Sequence, residues 1–217
     1  MHEHLLRFDK TKRLVFLDFE TYNLNLNFSH NKPWQIGMLR VIGQDIEAEH
    51  DILVKWPHPP KFDPAMVFHI FKCSVEQLLN RIDTRGIAPE EAFRIMFDEL
   101  EKADYIVGHN TLGFDIYLMF EYYKLMGKRA DHLVTKFIDT NCLAKGIKMS
   151  MPYKPGENFM EYQYKILHKK QKGVKTRLGL LGTEYGIEHD YQNLHDAITD
   201  LKLNKKVWEK LRLQVEI

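Results

Sequence analysis

Arg13-Leu14-Val15-Phe16-Leu17-Asp18-Phe19, running on into Glu20 and Thr21, is a compact β-branched and aromatic run that ends in acids. Its composition and length are those of a buried strand. Side chains two apart on a strand project to the same face. Asp18 and Glu20 therefore stand side by side at the strand's end, while Phe19 enters the opposite layer. Two carboxylates that close repel and raise one another's pKa unless a cation lies between them. A divalent ion that prefers hard oxygen ligands, Mg²⁺ or Mn²⁺, would relieve the pair. Two solvated acids at a surface strand end would leave the same D-x-E pattern.

Outward from that strand, Trp34–Ile42 and Ile46–Trp56 give two further strand patterns. Three strands before any convincing helix predict an antiparallel opening to a sheet. Beyond the turn at Pro57, Pro59 and Pro60 the pattern becomes helical. Pro89–Ala103 starts on proline, carries acids in its first turn, and aligns Phe93, Met96, Phe97 and Leu100 on one stripe. Tyr105–Gly108 reads as a short strand that feeds a helix over Phe114–Met126 through the loop His109–Gly113. Lys136–Thr140 reads as a last short strand. A closing helix over Leu194–Val215 has Ala197, Leu201, Leu203, Val207 and Leu211 at helical spacing. The class is α/β, in a single domain.

Composition narrows the function. At 217 residues and 44% hydrophobic, the chain has enough apolar content to fold as one domain rather than stay disordered. A formal net charge of +1 excludes a histone-like polycation held to nucleic acid by bulk charge alone. Cys73 and Cys142 are too few for a disulfide scaffold, so a reducing compartment is expected. The opening Met1–Lys12 lacks the apolar run of a signal peptide, and no run approaches the ~20 residues of a membrane span. A cytoplasmic protein with no membrane partner is expected. Charge is nonetheless segregated: Lys145–Arg177 holds nine Lys and Arg against two acids, with Tyr153, Phe159, Tyr162 and Tyr164 among them.

Two more acids and one histidine join the first pair. Asp115 follows Gly108-His109-Asn110-Thr111-Leu112-Gly113-Phe114, which places it in the first turn of a helix. Asp200 lies five residues after His195 in LHDAITD. Five residues turn a helix by about 140°, so the two share no stripe. Both can border one cleft if His195 lies where the helix begins, with Asn193 as a candidate cap. Asp196 reads as a first-turn acid facing water.

Asp18-Phe19-Glu20-Thr21, Asn110-x3-Phe114-Asp115 and His195-x4-Asp200 resemble, in order, the three motifs of the DEDDh exonucleases. This superfamily includes the proofreading epsilon subunit of bacterial DNA polymerase III. The resemblance runs from about Arg13 to Trp208. Gln35-Ile36-Gly37, Ile138-Asp139-Thr140 and Tyr185-Gly186-Ile187 fall where secondary markers are expected. It implies a ribonuclease H-like fold: a five-stranded mixed sheet, its first three strands antiparallel, flanked by helices.

The resemblance also implies 3′→5′ hydrolysis of phosphodiester bonds with two divalent metal ions, releasing nucleoside 5′-monophosphates. Carried over residue by residue, Asp18 would bridge both ions, Glu20 and Asp200 would complete the first site, and Asp115 would act on the second. His195 would be the general base. Thr21 and Leu24 would touch the terminal nucleotide, Leu24 as an apolar wedge, and Asn110 and Phe114 would line the groove. The basic stretch Lys145–Arg177 reads as an insertion whose Lys169, Lys170 and Lys172 grip phosphates while its tyrosines stack on unpaired bases. A solvated lysine loop with tyrosines tucked into the core is the alternative.

The expected substrate is single-stranded or frayed DNA, ahead of RNA, with a DNA polymerase or other replication partner. An exoribonuclease and a non-catalytic polymerase-accessory module are the competing readings. The Asn-x3-Phe-Asp spacing is closer to the proofreading domains of family B polymerases, whose third motif has Tyr where this chain has His195.

Overall fold

The computed structural model describes Leu6 and residues 9–217. Most of the opening stretch read above for a leader, Met1–Leu5 with Arg7 and Phe8, lies outside the described residues.

The strand that opens the sequence reading is the centre of the sheet. β1 (Arg13–Thr21) is flanked by β2 (Pro33–Ile42) and then β3 (Asp45–Leu53) on one side, and by β4 (Tyr105–Gly108) and then β5 (Phe137–Asp139) on the other. β1, β2 and β3 pair antiparallel, whereas β4 and β5 run parallel to β1. This is the five-stranded mixed sheet that the resemblance implies. The β1–β2 register sets Asp18 opposite Gly37 and Glu20 opposite Gln35. β3 stops three residues short of the expected Trp56. Val54 forms an isolated bridge to Ile87, and the buried Trp56 indole donates to the Pro33 carbonyl at 2.7 Å.

Helices cover both faces. One core joins Val15, Leu17 and Phe19 of β1 to α3 (Pro89–Lys102) and α4 (Asp115–Leu125). The other joins Leu14 and Phe16 to α5 (Thr140–Lys148) and α8 (Ala197–Leu211). Asp18 and Glu20 share parity with Leu14 and Phe16, so they point toward α8. α8 lies close on the sheet because Gly37 lacks a side chain: a Cβ there would come within 2.7 Å of the Ala197 Cβ. α1 (Pro64–Phe71) and α2 (Val75–Arg85) precede α3, and α2 starts on a capping box between Ser74 and Gln77. Short 3₁₀ turns span Thr111–Gly113 and Asp131–Lys136.

The basic stretch is folded. It contains the end of α5 and all of α6 (Phe159–His168), and α7 (Leu178–Glu184) follows. α6 seals the open edge of the sheet. The buried Gln163 amide accepts from the Asp139 N–H at 2.7 Å and donates to the Phe137 carbonyl at 2.9 Å, as a sixth strand would. The expectation that the tyrosines here stack on bases is corrected in part. Tyr162 belongs to the core and donates to the Met151 carbonyl, and Tyr153 packs edge-on against Phe159 and Tyr162. Burial of their aromatic area against α5 drives that placement. Cys73 and Cys142 are both free. No helix among the described residues is long and apolar enough to cross a membrane.

Candidate active site

In open α/β sheets, crevices form beyond the carboxyl ends of the parallel strands. The acids gather at that end. Asp18 and Glu20 are half-buried at the end of β1. The β1–β4 ladder stops at Phe16–Val107, so it no longer reaches the Phe19 N–H. The buried Asp115, first residue of α4, takes over that donor at 3.1 Å and is thereby fixed against β1. Asp200 lies in the first turn of α8, where it accepts from the His195 backbone N–H at 3.2 Å.

His195 itself is exposed and adopts a left-handed backbone, φ 73°. Its ring, Glu20 and Asp200 offer donor atoms that all lie within 4.8 Å of one another. Asp18, His195 and Asp200 line one cavity of about 920 Å³. The helix cap differs from the expected Asn193. Asp196 is the N-cap of α8, bonded by the Thr199 N–H and by the side chains of Gln35 and Arg81. It is thus a half-buried anchor, not an acid facing water. Its pairing with Gln35 explains the marker Gln35-Ile36-Gly37: the glutamine holds the start of α8 and the glycine lets it approach.

The electrostatics are those of a site short of positive charge. Burial, then Asp115 and Asp200, holds the Asp18 carboxyl well above the ordinary range. Glu20 is raised likewise, by burial and then by Asp18 and Asp200. Burial pushes Asp115 up to about 7 against the Phe19 hydrogen bond, and Asp200 up to about 6. Partial burial and the neighbouring Lys72 lower His195, which keeps the ring neutral near pH 7. Among the described residues no lysine or arginine forms an ion pair with Asp18, Glu20, Asp115 or Asp200. By contrast the buried Glu99 is matched by Arg13, Arg40 and His50. Crowded oxygen donors that no lysine or arginine pairs fit hard divalent ions such as Mg²⁺ or Mn²⁺.

The remaining candidates divide. Thr21 is buried and donates to the Asn23 carbonyl, whereas Leu24 stands 80% exposed just beyond it. Asn110 lines the acidic cavity in a left-handed conformation, its N–H held by Asp139 at 2.9 Å. Asp139 accepts from Leu112, Asn141 and Cys142 as well, so one buried carboxylate shapes the loop that delivers Asp115. Phe114 is half-buried against the core beneath that loop. Lys169 and Lys170 line a second, smaller cavity, and the exposed Lys172 lines neither. Sequence reading missed His109, Asn141 and Thr176, which line the cavity at the carboxylates together with Lys175 and Arg177 of the basic stretch. His109 carried a local signal, its place in the loop after β4. The others come from separate elements with no shared spacing.

A mixed sheet whose parallel ends carry four convergent carboxylates defines the ribonuclease H-like nucleases as the class. The chain belongs to the exonuclease family RNase_T, which it matches over residues 15–208, and so to the DnaQ-like exonuclease superfamily. That family is one of divalent-metal-dependent nucleases. No curated protein matches the sequence. Solved structures of E. coli exonuclease I share the fold. Its zinc-bound complex with single-stranded DNA aligns with a TM-score of 0.69 at 17% identity, covering 94% of this chain and 41% of that one. Its complex with a dA16 oligonucleotide aligns at 0.68 and 18%, covering 94% and 43%. The chain spans less than half the length of exonuclease I.

Proposed function

We propose that this chain is a two-metal-ion 3′→5′ exonuclease that trims single-stranded or frayed DNA ends to nucleoside 5′-monophosphates. The convergence of Asp18, Glu20, Asp115, Asp200 and His195 at one end of the sheet carries this reading. Bound divalent ions supply charge neutralisation for the attacking and leaving oxygens and acidify water. Asp18, Glu20, Asp115 and Asp200 would hold those ions. His195, neutral near pH 7, takes the proton of the attacking water. The water oxygen bonds to the phosphorus as the bond to the upstream 3′ oxygen breaks; that oxygen takes a proton from solvent to become the strand's new 3′ hydroxyl, and the released nucleotide keeps the phosphate. Thr21 and Leu24 touch the terminal nucleotide, and Asn110 and Phe114 line the groove. The cations of the 145–177 stretch offset the negative field that the acids would present to a polyanion.

DNA as substrate is supported by the likeness to exonuclease I, whose solved complexes include single-stranded DNA. The test is a time course on 5′-labelled single-stranded DNA and RNA with Mg²⁺, with Mn²⁺ and with chelator. A descending ladder from the 3′ end of DNA, abolished by chelator, supports the reading. Faster loss of RNA would move the chain to the exoribonucleases, and binding without cleavage in saturating Mn²⁺ would leave an accessory module.

A further inference from the structure

The cavity at the carboxylates adjoins a second one. Asn141, Val174 and Thr176 line both, so the two meet at a shared wall. That wall is pinned. The Thr176 hydroxyl donates to the Asn141 side chain at 2.5 Å, and the Thr176 carbonyl lies 2.9 Å from His109 Nε2. Asn141 in turn reaches the Asn110 side chain at 3.4 Å. A polar seam thus runs from the carboxylates through Asn110 and Asn141 to Thr176.

Lys175 and Arg177 already line the carboxylate side of the seam, and beyond it the lining carries cations and no acid. The second cavity, about 260 Å³, is lined by Lys145, Lys169 and Lys170 together with Gln171. None of these three lysines forms an ion pair among the described residues. Lys145 donates to the Leu167 carbonyl at 2.8 Å and Lys169 lies 3.3 Å from the Met151 sulfur, both uncharged partners. At ~30 Å³ per water, the space holds a hydrated phosphodiester group. Three lysines lining such a space, joined by a polar floor to a site that acts on a strand's end, suit an anionic group on the same strand.

We infer that the Lys145–Lys169–Lys170 cavity binds a backbone phosphate upstream of the cleaved bond, making longer single strands the preferred substrate over dinucleotides. This rests on the nuclease reading above. The strand's terminal nucleotide sits at the carboxylates, and its preceding phosphates cross Asn141 and Thr176 into the lysines. Lys145 enters the binding surface on this basis, and Lys172 leaves it.

The test compares a 12-mer deoxyoligonucleotide with a dinucleotide, by Mn²⁺-dependent cleavage and, in chelator, by fluorescence anisotropy of the labelled strands. Wild type is expected to favour the 12-mer. Lys169→Ala/Lys170→Ala is expected to raise the 12-mer KM and Kd about tenfold and flatten the salt slope by up to ~0.7 per lost contact. The preference over the dinucleotide should shrink by the same factor. Lys145→Gln, made separately because Lys145 supports the end of α6, should act in the same direction. Lys210→Ala, at the far end of α8, controls for bulk charge. Equal 12-mer affinity and salt slope in the double variant and in Lys210→Ala would overturn the inference. Absence of cleavage by wild type would count against the nuclease reading alone, because anisotropy still decides whether the lysines bind the longer strand.

Discussion

The backbone N–H of His195 donates to the Asp200 carboxylate at 3.2 Å, so the main chain ties the histidine to the acid five positions on. The imidazole plays no part in that link. His195→Ala should therefore leave Asp200 in place, lowering kcat by roughly 10²–10⁴-fold with little change in Mn²⁺ affinity by calorimetry. A variant that no longer binds Mn²⁺ would make His195 a ligand, a role its position beside Glu20 and Asp200 permits.

The raised carboxyls fix a pH dependence for the metal-free protein. Asp115 and Asp200 stand at about 7 and about 6, above the ~3.9 of an unfolded aspartate. The folded state holds their protons more tightly, so their contribution is full below about pH 4 and is lost as pH rises through 6 and 7. His109 works the opposite way. Burial depresses it to about 4, so its neutral form costs stability as pH falls below about 6.5. Between about pH 6.5 and pH 8.5 the carboxyls therefore dominate. The chelated protein should melt at a lower temperature at the higher pH, and Mn²⁺ should raise Tm more there. Calorimetry at the two values checks both signs.

Asp18→Asn removes one of the repelling charges without changing shape. It should raise the Tm of the chelated protein at about pH 8 by about 2–4 °C, as a gain near 1 kcal/mol would in a chain of this size. Turnover should be lost in the same variant. Normal Mg²⁺-dependent cleavage by Asp18→Asn would remove Asp18 from the site.

At Gly37 the sheet meets α8 with no room for a methyl group. Gly37→Ala should cost about 1–3 kcal/mol in urea denaturation, as overpacking does. It should also lower kcat at least about tenfold, since a misplacement near 1 Å can cost up to ~10²-fold and α8 carries Asp200. Lost stability with unchanged kcat would mean that the approach of α8 is not what sets the site.

Gln163→Leu keeps the bulk of α6 against β5 but leaves the Asp139 N–H and Phe137 carbonyl without partners. At ~1–3 kcal/mol for each buried unmatched group, the variant should lose about 2–6 kcal/mol in urea denaturation. A loss below about 1 kcal/mol would show that water replaces the amide at the edge.

The parts legible in the sequence were those with strong local periodicity. Asp18 and Glu20 announced a shared face because a strand repeats every two residues, and Asp115 followed from a loop that could only open a helix. α1 and α2 were not delimited, being short, although the Ser74–Gln77 capping box marks where α2 begins. α6 was hidden differently. A run of lysines among tyrosines read as a phosphate-gripping insertion, while the groups that fix the helix, Tyr162, Gln163 and Ile166, are few and one is polar. Asp196 was misread because its partners Gln35 and Arg81 lie more than 100 residues away in sequence. The wall formed by His109, Asn141 and Thr176 is likewise invisible until β4, α5 and the loop before α7 come together.

Anomalous diffraction from crystals soaked in Mn²⁺ measures the ions themselves. Two peaks are expected roughly 3.5–4 Å apart at the end of β1, within bonding distance of Asp18, Glu20, Asp115 and Asp200 oxygens. Saturating Mn²⁺ with no peak among those carboxylates, or with ions bound only elsewhere, would contradict it.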